Sequence, residues 1–180
     1  MTRCLVVLAD GFEEIEAVTV IDVLRRAELQ VVVAGLDAER VRGSHDIVVV
    51  CDAKLDDVRA ENFDALVLPG GMPGSATLRD DVRVQALIRR FVTEGKHLAA
   101  ICAAPIALEV AGVLAGRRAT SYPGFELASA QYVEDRVVTD GRVTTSRGAG
   151  TALEFALELL RLFRGEECAE ALARSVVARV

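Results

Sequence analysis

Cys102 is the residue of this chain whose type and surroundings are best suited to chemistry, and it lies within the stretch 97–105, HLAAICAAP. The apolar residues before it predict a buried strand. Pro105 suits a first helical turn, because its missing N–H would have no intrahelical partner there. A nucleophile elbow needs small residues two before and two after the reactive side chain, and Ala100 and Ala104 meet that requirement. The sequence therefore predicts that Cys102 lies at a sharp strand-to-helix corner.

This position leaves two interpretations of Cys102 open. At a helix N-terminus, backbone N–H groups and the helix dipole favour thiolate over thiol, which predicts a lowered pKa and a reactive sulfur. Free cysteine is also among the most buried residue types, so a structural cysteine packed in the core is the alternative. Position alone does not separate the two.

A carboxylate that could assist Cys102 is Glu16, in the first turn of the helix predicted after the first strand. That turn lies at the carboxyl end of the strand, where open α/β sheets bind their ligands. Glu13 and Glu14 are interpreted as solvated carboxylates that complement the helix dipole. The same interpretation suits Glu16 less well, because Ile15 and Ala17 surround it with apolar side chains.

A glycine-rich loop, PGGMPG at 69–74, directly follows the strand predicted at 63–68. Such loops can cradle phosphate, but neither G-x-G-x-x-G nor a Lys-Ser/Thr pair is present, which disfavours a nucleotide site. Glycine also lets the backbone approach a neighbour closely. We therefore interpret the loop as a donor of backbone N–H groups to an oxyanion, with a simple tight turn as the alternative.

Strands and helices alternate along the chain, with Asp81 as a predicted helix N-cap and Asp140-Gly141 as a hairpin signal. The predicted extended segments are 3–9, 30–36, 43–50, 63–68, 98–101, 117–123, 131–133, 137–138 and 143–146. The predicted helices are 13–28, 82–94, 105–111, 152–162 and 166–178. This alternation predicts an α/β fold, a three-layer sandwich around a mostly parallel sheet. The length of 180 residues predicts one domain, 1–180.

The charge, the cysteine spacing and the hydropathy of the chain argue against several classes of partner and location. The net charge is −6 and the 21 Lys and Arg are dispersed, which argues against a nucleic acid or an anionic membrane as the main partner. The four cysteines are widely separated, with no C-x-x-C pair and no zinc-type spacing, so we expect no metal and a reducing, cytoplasmic location. The N-terminal apolar run is too short for a signal peptide, and no later run is long enough to span a membrane.

Five motifs in this order resemble the ThiJ/PfpI family, in the branch that holds the Parkinsonism-associated deglycase, and the match extends over essentially the whole chain. These motifs are GFEEIEA at 11–17, DVLRR at 22–26, LPGG at 68–71, AICAAP at 100–105 and TSRGAGTALEF at 145–155. The resemblance implies a flavodoxin-like fold akin to the glutamine amidotransferase domain. It also implies a homodimer.

The resemblance further implies roles for individual residues. Cys102 would be the nucleophile and redox-sensitive thiol, and Glu16 the carboxyl group that hydrogen-bonds it. Backbone N–H groups of Gly71 and Ala103 would form the oxyanion hole. Four further residues are candidates for the pocket or for the dimer side of the site: Gly70, Tyr122, Arg26 and Asp22. The last two are four apart on the first helix, so they can pair on one face.

The chain departs from the family pattern at Tyr122, where many members carry histidine before the residue that Pro123 matches. A phenol with a pKa of about 10 cannot replace imidazole as a base at neutral pH. His97 precedes the elbow strand and so belongs at its opposite end, while His45 lies in the segment 43–50 and resembles a dimer-side position. We therefore expect a Cys102–Glu16 dyad rather than a Cys-His-Asp triad, and no protease activity.

The activity that the resemblance implies is that of a cofactor-independent glyoxalase or deglycase. Such an enzyme would convert methylglyoxal, glyoxal or their early adducts on proteins or nucleotides, through a Cys102 hemithioacetal with Glu16 as acid and base. It would need neither glutathione nor a metal. The alternative is an oxidative-stress sensor and redox-linked chaperone, in which the same thiol is oxidised instead of turning over substrate.

Overall fold

The computed structural model describes residues 2–178 and shows strands and helices in alternation. In chain order, the strands are β1 Arg3–Leu8, β2 Gln30–Gly35, β3 Arg40–Arg42, β4 Val48–Val50, β5 Ala53–Lys54, β6 Ala65–Leu68, β7 His97–Ile101, β8 Arg118–Ala119, β9 Gln131–Tyr132, β10 Val137–Asp140 and β11 Val143–Ser146. The α-helices are α1 Glu14–Arg26, α2 Gly74–Asp80, α3 Val82–Thr93, α4 Pro105–Val110, α5 Ala152–Arg164 and α6 Glu166–Ser175.

Seven of these strands form one sheet in the order β10-β11-β7-β6-β1-β2-β5. Every neighbouring pair is parallel except β10 and β11, which form an antiparallel hairpin. The three central strands β7, β6 and β1 are adjacent, although long stretches of chain separate them. Because their carboxyl ends meet at one edge of the sheet, the residues that follow each of them come together in space.

The sheet separates two apolar cores, which confirms the predicted three-layer arrangement. One core joins the sheet to α1, α5 and α6, and it contains Val20, Leu24, Phe155 and Leu159. The other joins the sheet to α2, α3 and α4, and it contains Leu78, Ile88, Phe91 and Leu108. The central strands read as continuous apolar runs because helices cover both faces of the sheet.

The structure departs from the sequence prediction in four places. Helix α2 was not predicted, because Pro73 and Gly74 are turn signals, whereas the helix starts at Gly74, the last residue of the glycine-rich loop. The segment 43–50 forms only the second strand of the antiparallel β3–β4 hairpin and the turn before it. The extended piece 117–123 contains a strand of two residues, and the last helix ends at Ser175 rather than at residue 178.

No helix within residues 2–178 has the length and apolar character that crossing a membrane requires.

The predicted cap of α3 is present, since the Asp81 carboxylate accepts hydrogen bonds from the backbone N–H groups of Arg83 and Val84 at 2.8 and 3.2 Å. We expect Asp81→Ala to lower the free energy of unfolding by about 1 kcal/mol, because two N–H groups lose their acceptor. Asp81→Asn keeps an acceptor oxygen and should lower the free energy of unfolding by only a few tenths of a kcal/mol. The partly exposed ion pair with Arg83, which this variant also removes, contributes little. Urea unfolding of the two variants is the measurement. Equal losses would show that the charge, not the cap, matters.

Candidate active site

Cys102 lies in a strained backbone conformation at the corner between β7 and α4. Its φ of 65° falls in the left-handed region, which a residue with a Cβ rarely adopts. Two backbone hydrogen bonds hold this conformation, from the Cys102 N–H to the Ser146 carbonyl at 2.9 Å and from the Tyr122 N–H to the Cys102 carbonyl at 2.8 Å. Strain of this kind costs about 1–3 kcal/mol and persists where the surroundings over-determine it. The predicted strand-to-helix corner at Cys102 is confirmed, and the role of its thiol as a nucleophile stays a prediction.

Small residues make room for the elbow. Ala100 and Ala104 are fully buried on either side of it, as the motif requires. A Cβ at Gly70 would lie 2.5 Å from Cys102 Cβ and 2.6 Å from Glu16 Oε2. Gly70 therefore stands where no side chain fits, between the cysteine and the carboxyl group.

Glu16 is completely buried in the first turn of α1. Its Oε2 accepts a hydrogen bond from the Gly70 N–H at 2.8 Å. Burial raises the pKa of this carboxyl group to about 7, although hydrogen bonds from the Cys102 thiol and from Gly70 act in the opposite direction. The other oxygen, Oε1, has no well-aligned hydrogen-bond partner within residues 2–178. Two neighbouring side chains act on this carboxyl group: the Cys102 thiol lowers its pKa through a hydrogen bond, and the charge of Glu13 raises it.

The predicted lowering of the Cys102 pKa is wrong. Burial, together with the charge and hydrogen bond of Glu16, raises the pKa of the thiol to about 12. Backbone N–H groups of Gly71 and Ala103 hydrogen-bond the sulfur and favour the thiolate, but they do not outweigh burial and the carboxylate. Helix-end arguments consider only local N–H groups, whereas here two acidic groups share one buried space. A second negative charge is disfavoured in that space. Glu16 and Cys102 therefore titrate as a coupled pair, which carries one negative charge once the first proton has been lost.

The glycine-rich loop brings its backbone against the start of α1. The φ of Gly71 is 91°, and a Cβ there would collide with the backbone of Phe12 and Glu13. The Glu13 N–H donates to the Gly70 carbonyl at 2.8 Å. Close approach therefore explains the glycines, and it leaves the Gly71 N–H directed at the Cys102 sulfur. Gly71 and Ala103, the two donors that the resemblance implies, are both beside the sulfur.

Tyr122 lies at the mouth of the site. A Cβ at Gly148 would be 3.2 Å from Tyr122 Cδ2 and 3.9 Å from Cys102 Sγ, so ring and sulfur face the same glycine. Half of the tyrosine side chain is exposed.

The two histidines lie away from Cys102. His97 is at the far end of β7, where its Nε2 lies 2.9 Å from Thr144 Oγ1 and burial lowers its pKa to about 4. His45 pairs with Glu14. The structure therefore brings neither imidazole to Cys102.

Asp22 and Arg26 pair as predicted, with Arg26 Nε 2.6 Å from Asp22 Oδ2. Both side chains are about half exposed. Arg26 is ten residues beyond Glu16 on α1, about 15 Å along the helix axis. The structure does not bring this pair to the Cys102 pocket of its own chain, and a role at a dimer side remains a prediction.

Sequence reasoning missed the role of Glu14. It was predicted to be solvated, but it is buried, and its Oε1 accepts a hydrogen bond from the His45 N–H at 2.7 Å. Burial acts to raise its pKa, yet hydrogen bonds from His45 and Ile47 outweigh burial and hold the pKa at about 2. Glu14 thus ties the turn of the β3–β4 hairpin to the first turn of α1. The signal available in the sequence was Gly43, where a Cβ would overlap the Glu14 carboxylate.

Glu13, Glu14 and His45 are the residues of the described range whose arrangement could hold a metal ion, since one ligand atom of each lies within 4.8 Å of the others. Both oxygens of Glu14 already have partners in the hairpin turn, Ser44 and His45 among them. We therefore assign this cluster a structural role.

Comparison with known proteins identifies the family. The model of the DJ-1/PfpI family matches residues 2–162. The chain belongs to the DJ-1/PfpI family. Protein dj-1beta of Drosophila melanogaster is 42% identical over 178 residues, which cover 96% of this chain and 95% of that protein. Its crystal structure superposes with a TM-score of 0.95 at 41% identity, covering 99% of each chain.

Two further relatives carry informative names. A Caenorhabditis elegans protein named glutathione-independent glyoxalase DJR-1.2 is 36% identical over 165 residues, 90% of this chain and 88% of that protein. The structure titled Toxoplasma gondii DJ-1, oxidized, has a TM-score of 0.94 at 37% identity and covers 100% of both chains. These matches confirm the family resemblance and the flavodoxin-like α/β fold.

The shared burial of Glu16 and Cys102 predicts an observable titration. We expect the Glu16 carboxyl carbon to titrate with a midpoint near pH 7 in an NMR experiment. Cys102→Ala should move the midpoint upward, because it removes a hydrogen bond that favours the ionised carboxylate. Glu14 is an internal control, since its pKa of about 2 keeps its signal constant over that range. A Glu16 midpoint below 5 would mean that the carboxyl group is hydrated.

Proposed function

We propose that this chain is a cofactor-independent glyoxalase or deglycase that acts on methylglyoxal, glyoxal or their early adducts. The observation that supports this most is the pairing of a buried carboxyl group, whose pKa is about 7, with the thiol of a strained elbow. A group with a pKa near the working pH can both take and return a proton. Glyoxalase chemistry requires such a group.

The first step forms a bond between sulfur and carbon. Cys102 Sγ attacks the aldehyde carbon while ionised Glu16 takes the thiol proton. The carbonyl electron pair moves to oxygen, which the N–H groups of Gly71 and Ala103 stabilise and which then receives the proton from Glu16. The product is a neutral hemithioacetal, and Glu16 is again ionised.

The second step moves hydrogen between adjacent carbons. Glu16 removes the proton from the former aldehyde carbon, giving an enediolate, and returns it to the neighbouring carbon while the hydroxyl proton passes between the two oxygens. The result is a thioester of a hydroxy acid. Water cleaves this thioester, which releases lactate from methylglyoxal or glycolate from glyoxal and restores the thiol. One carbon is oxidised and its neighbour is reduced, so the reaction is redox-neutral and its balance requires no external oxidant.

The C. elegans relative named a glutathione-independent glyoxalase supports this choice of activity. We propose no peptidase activity, because neither imidazole within residues 2–178 lies beside Cys102 and a leaving amine must be protonated. The four cysteines of the described chain are free thiols, which fits the reducing cytoplasm that we propose as its location.

The second candidate function is an oxidative-stress sensor, with a redox-linked chaperone role. The partly exposed sulfur of Cys102 is open to oxidants, and a protonated Glu16 beside it could donate a hydrogen bond to a sulfinate oxygen. The Toxoplasma relative whose structure is titled oxidized favours keeping this candidate.

Turnover distinguishes the two functions. We expect lactate production from methylglyoxal well above the rate of a free thiol, and none from Cys102→Ser. Glu16→Gln keeps the shape of the side chain but cannot move the proton, so turnover should fall about 10²- to 10⁴-fold. Tyr122→Phe should change turnover little, because its hydroxyl has no assigned task. A Glu16→Gln protein with wild-type turnover would refute the dyad, and an inactive Tyr122→Phe protein would restore a third catalytic residue.

We further propose that the chain forms a homodimer. Large apolar side chains are exposed on the first turns of α1 and on the adjoining hairpin, with exposed fractions of 57% for Ile15, 49% for Val18, 56% for Ile47 and 64% for Val50. Val18 and Val50 line one groove. Exposed apolar side chains that cluster on one face of a protein of net charge −6 are typical of an interface.

The dimer can be tested by sedimentation at micromolar concentration. The wild type should sediment as a dimer, and Val50→Asp should shift it to a monomer, because the carboxylate would lose its water in the interface. Val82→Asp is the control, since Val82 is 80% exposed on α3, in the opposite helical layer. A wild-type monomer, or a Val50→Asp dimer as stable as the control, would refute this surface.

A further inference from the structure

A cavity that the proposed mechanism does not use lies beside Tyr122. Its volume is about 510 Å³, within the range of small-molecule sites. It is formed by the loop after Tyr122, by the residues around β9 and by the residue before Gly148. We call it the side cavity, and its main lining residues are Phe125, Glu126, Leu127, Tyr132, Glu134 and Arg147.

The side cavity lies near the reactive sulfur, and Tyr122 stands between the two. Arg147 lines the cavity and immediately precedes Gly148, whose missing side chain would lie 3.9 Å from Cys102 Sγ. On the other side, the Tyr122 ring packs edge-to-face on Phe125, with ring centroids 6.4 Å apart. One molecule could therefore reach Cys102 with one end and the side cavity with the other, passing along Tyr122.

The charges of the side cavity do not cancel. Arg147 Nη1 donates to the Glu134 carbonyl at 3.1 Å and lies 3.7 Å from the Glu134 carboxylate, so that arginine is already compensated. Glu126, in contrast, has no ion-pair partner in the part of the chain that the structure describes. The cavity thus carries one uncompensated negative charge.

The aromatic walls favour the same kind of ligand. Phe125 and Tyr132 contribute rings, and Tyr132 is 41% exposed, so part of it is open to a ligand. A ring face attracts a cation within about 6 Å, and the attraction grows when water is excluded. A carboxylate together with two aromatic rings is the composition of a site for an ammonium or guanidinium group.

From this arrangement we infer that the side cavity is a cation subsite, which binds a positively charged group carried on the same molecule as the carbonyl that Cys102 attacks. The inference extends the proposed function, since it makes Glu126 and Tyr132 residues that determine specificity rather than chemistry. Substrates with a positive charge several bonds from the reacting carbonyl would be favoured over neutral or anionic ones.

Charged thiol reagents test the subsite without requiring turnover. The probes are aminohexyl, hexyl and carboxypentyl methanethiosulfonates, and the short aminoethyl and ethyl reagents, with the rate at Cys102 followed by mass spectrometry of its peptide. We expect the aminohexyl reagent to modify Cys102 about tenfold faster than the hexyl reagent, once the intrinsic rates on a free thiol are divided out. The aminoethyl reagent is too short to span both places and should show little preference over ethyl.

The variants locate the effect. Glu126→Gln and Tyr132→Leu should each remove most of the aminohexyl preference, so that the ratio of the aminohexyl rate to the hexyl rate approaches its value on a free thiol. Glu167→Gln is the matched control: it removes one carboxylate at the start of α6, at the end of the sheet opposite Cys102, and should keep the preference. Equal cation preference for long and short reagents would overturn the subsite, because it would reflect only the net charge. A carboxypentyl preference would also overturn it and would assign the cavity to anions through Arg147.

Because these rates depend on the thiol and not on catalysis, the two proposals fail independently. A cation preference without lactate production would retain the subsite and remove the glyoxalase. Lactate production without a cation preference would retain the glyoxalase and remove the subsite.

Discussion

The contact between Glu16 and Cys102 is the constraint on which the rest of the site depends. Two acidic groups share a space that admits only one negative charge, since burial raises the pKa of both and each charge opposes the other. The surroundings of the pair follow from this requirement. Gly70 is small because any side chain would separate the two groups, and it donates an N–H to the carboxyl group that burial would otherwise leave unsatisfied.

The sheet order makes that contact possible. Glu16 follows β1, the glycine loop follows β6 and Cys102 follows β7, and these three strands are neighbours. Their carboxyl ends therefore bring together residues that are far apart in sequence. Glu14 completes the arrangement from outside, because it ties the β3–β4 hairpin to the same helical turn that carries Glu16. One short helical segment thus holds both the group that shares a proton with the thiol and the group that anchors the covering hairpin.

The parts of this structure that could be predicted from sequence are those that local patterns determine. Continuous apolar runs indicated the central strands, small residues around Cys102 indicated the elbow, and Asp81 indicated the start of α3. Prediction did not extend to properties that arise only from tertiary contacts. The burial of Glu14 depends on a hairpin about thirty residues further along the chain. Likewise, the raised pKa of Cys102 depends on Glu16 and on desolvation, neither of which a helix-end argument contains.

A tyrosine at position 122, in place of a histidine, affects which reactions a cysteine at this strand-to-helix corner can catalyse. Peptide hydrolysis needs a group that takes the thiol proton and then protonates a leaving amine, a task for which an imidazole with a pKa near 7 is suited. Moving a proton between two neighbouring carbons needs a single group within reach of both. Burial gives Glu16 a pKa of about 7, so a carboxyl group here has the acid–base strength of an imidazole without its bulk. An aromatic side chain can then occupy the place of the missing histidine and serve as a wall toward the side cavity. The substitution at Tyr122 is therefore compatible with the proposed isomerisation, whereas it removes what a cysteine protease would require.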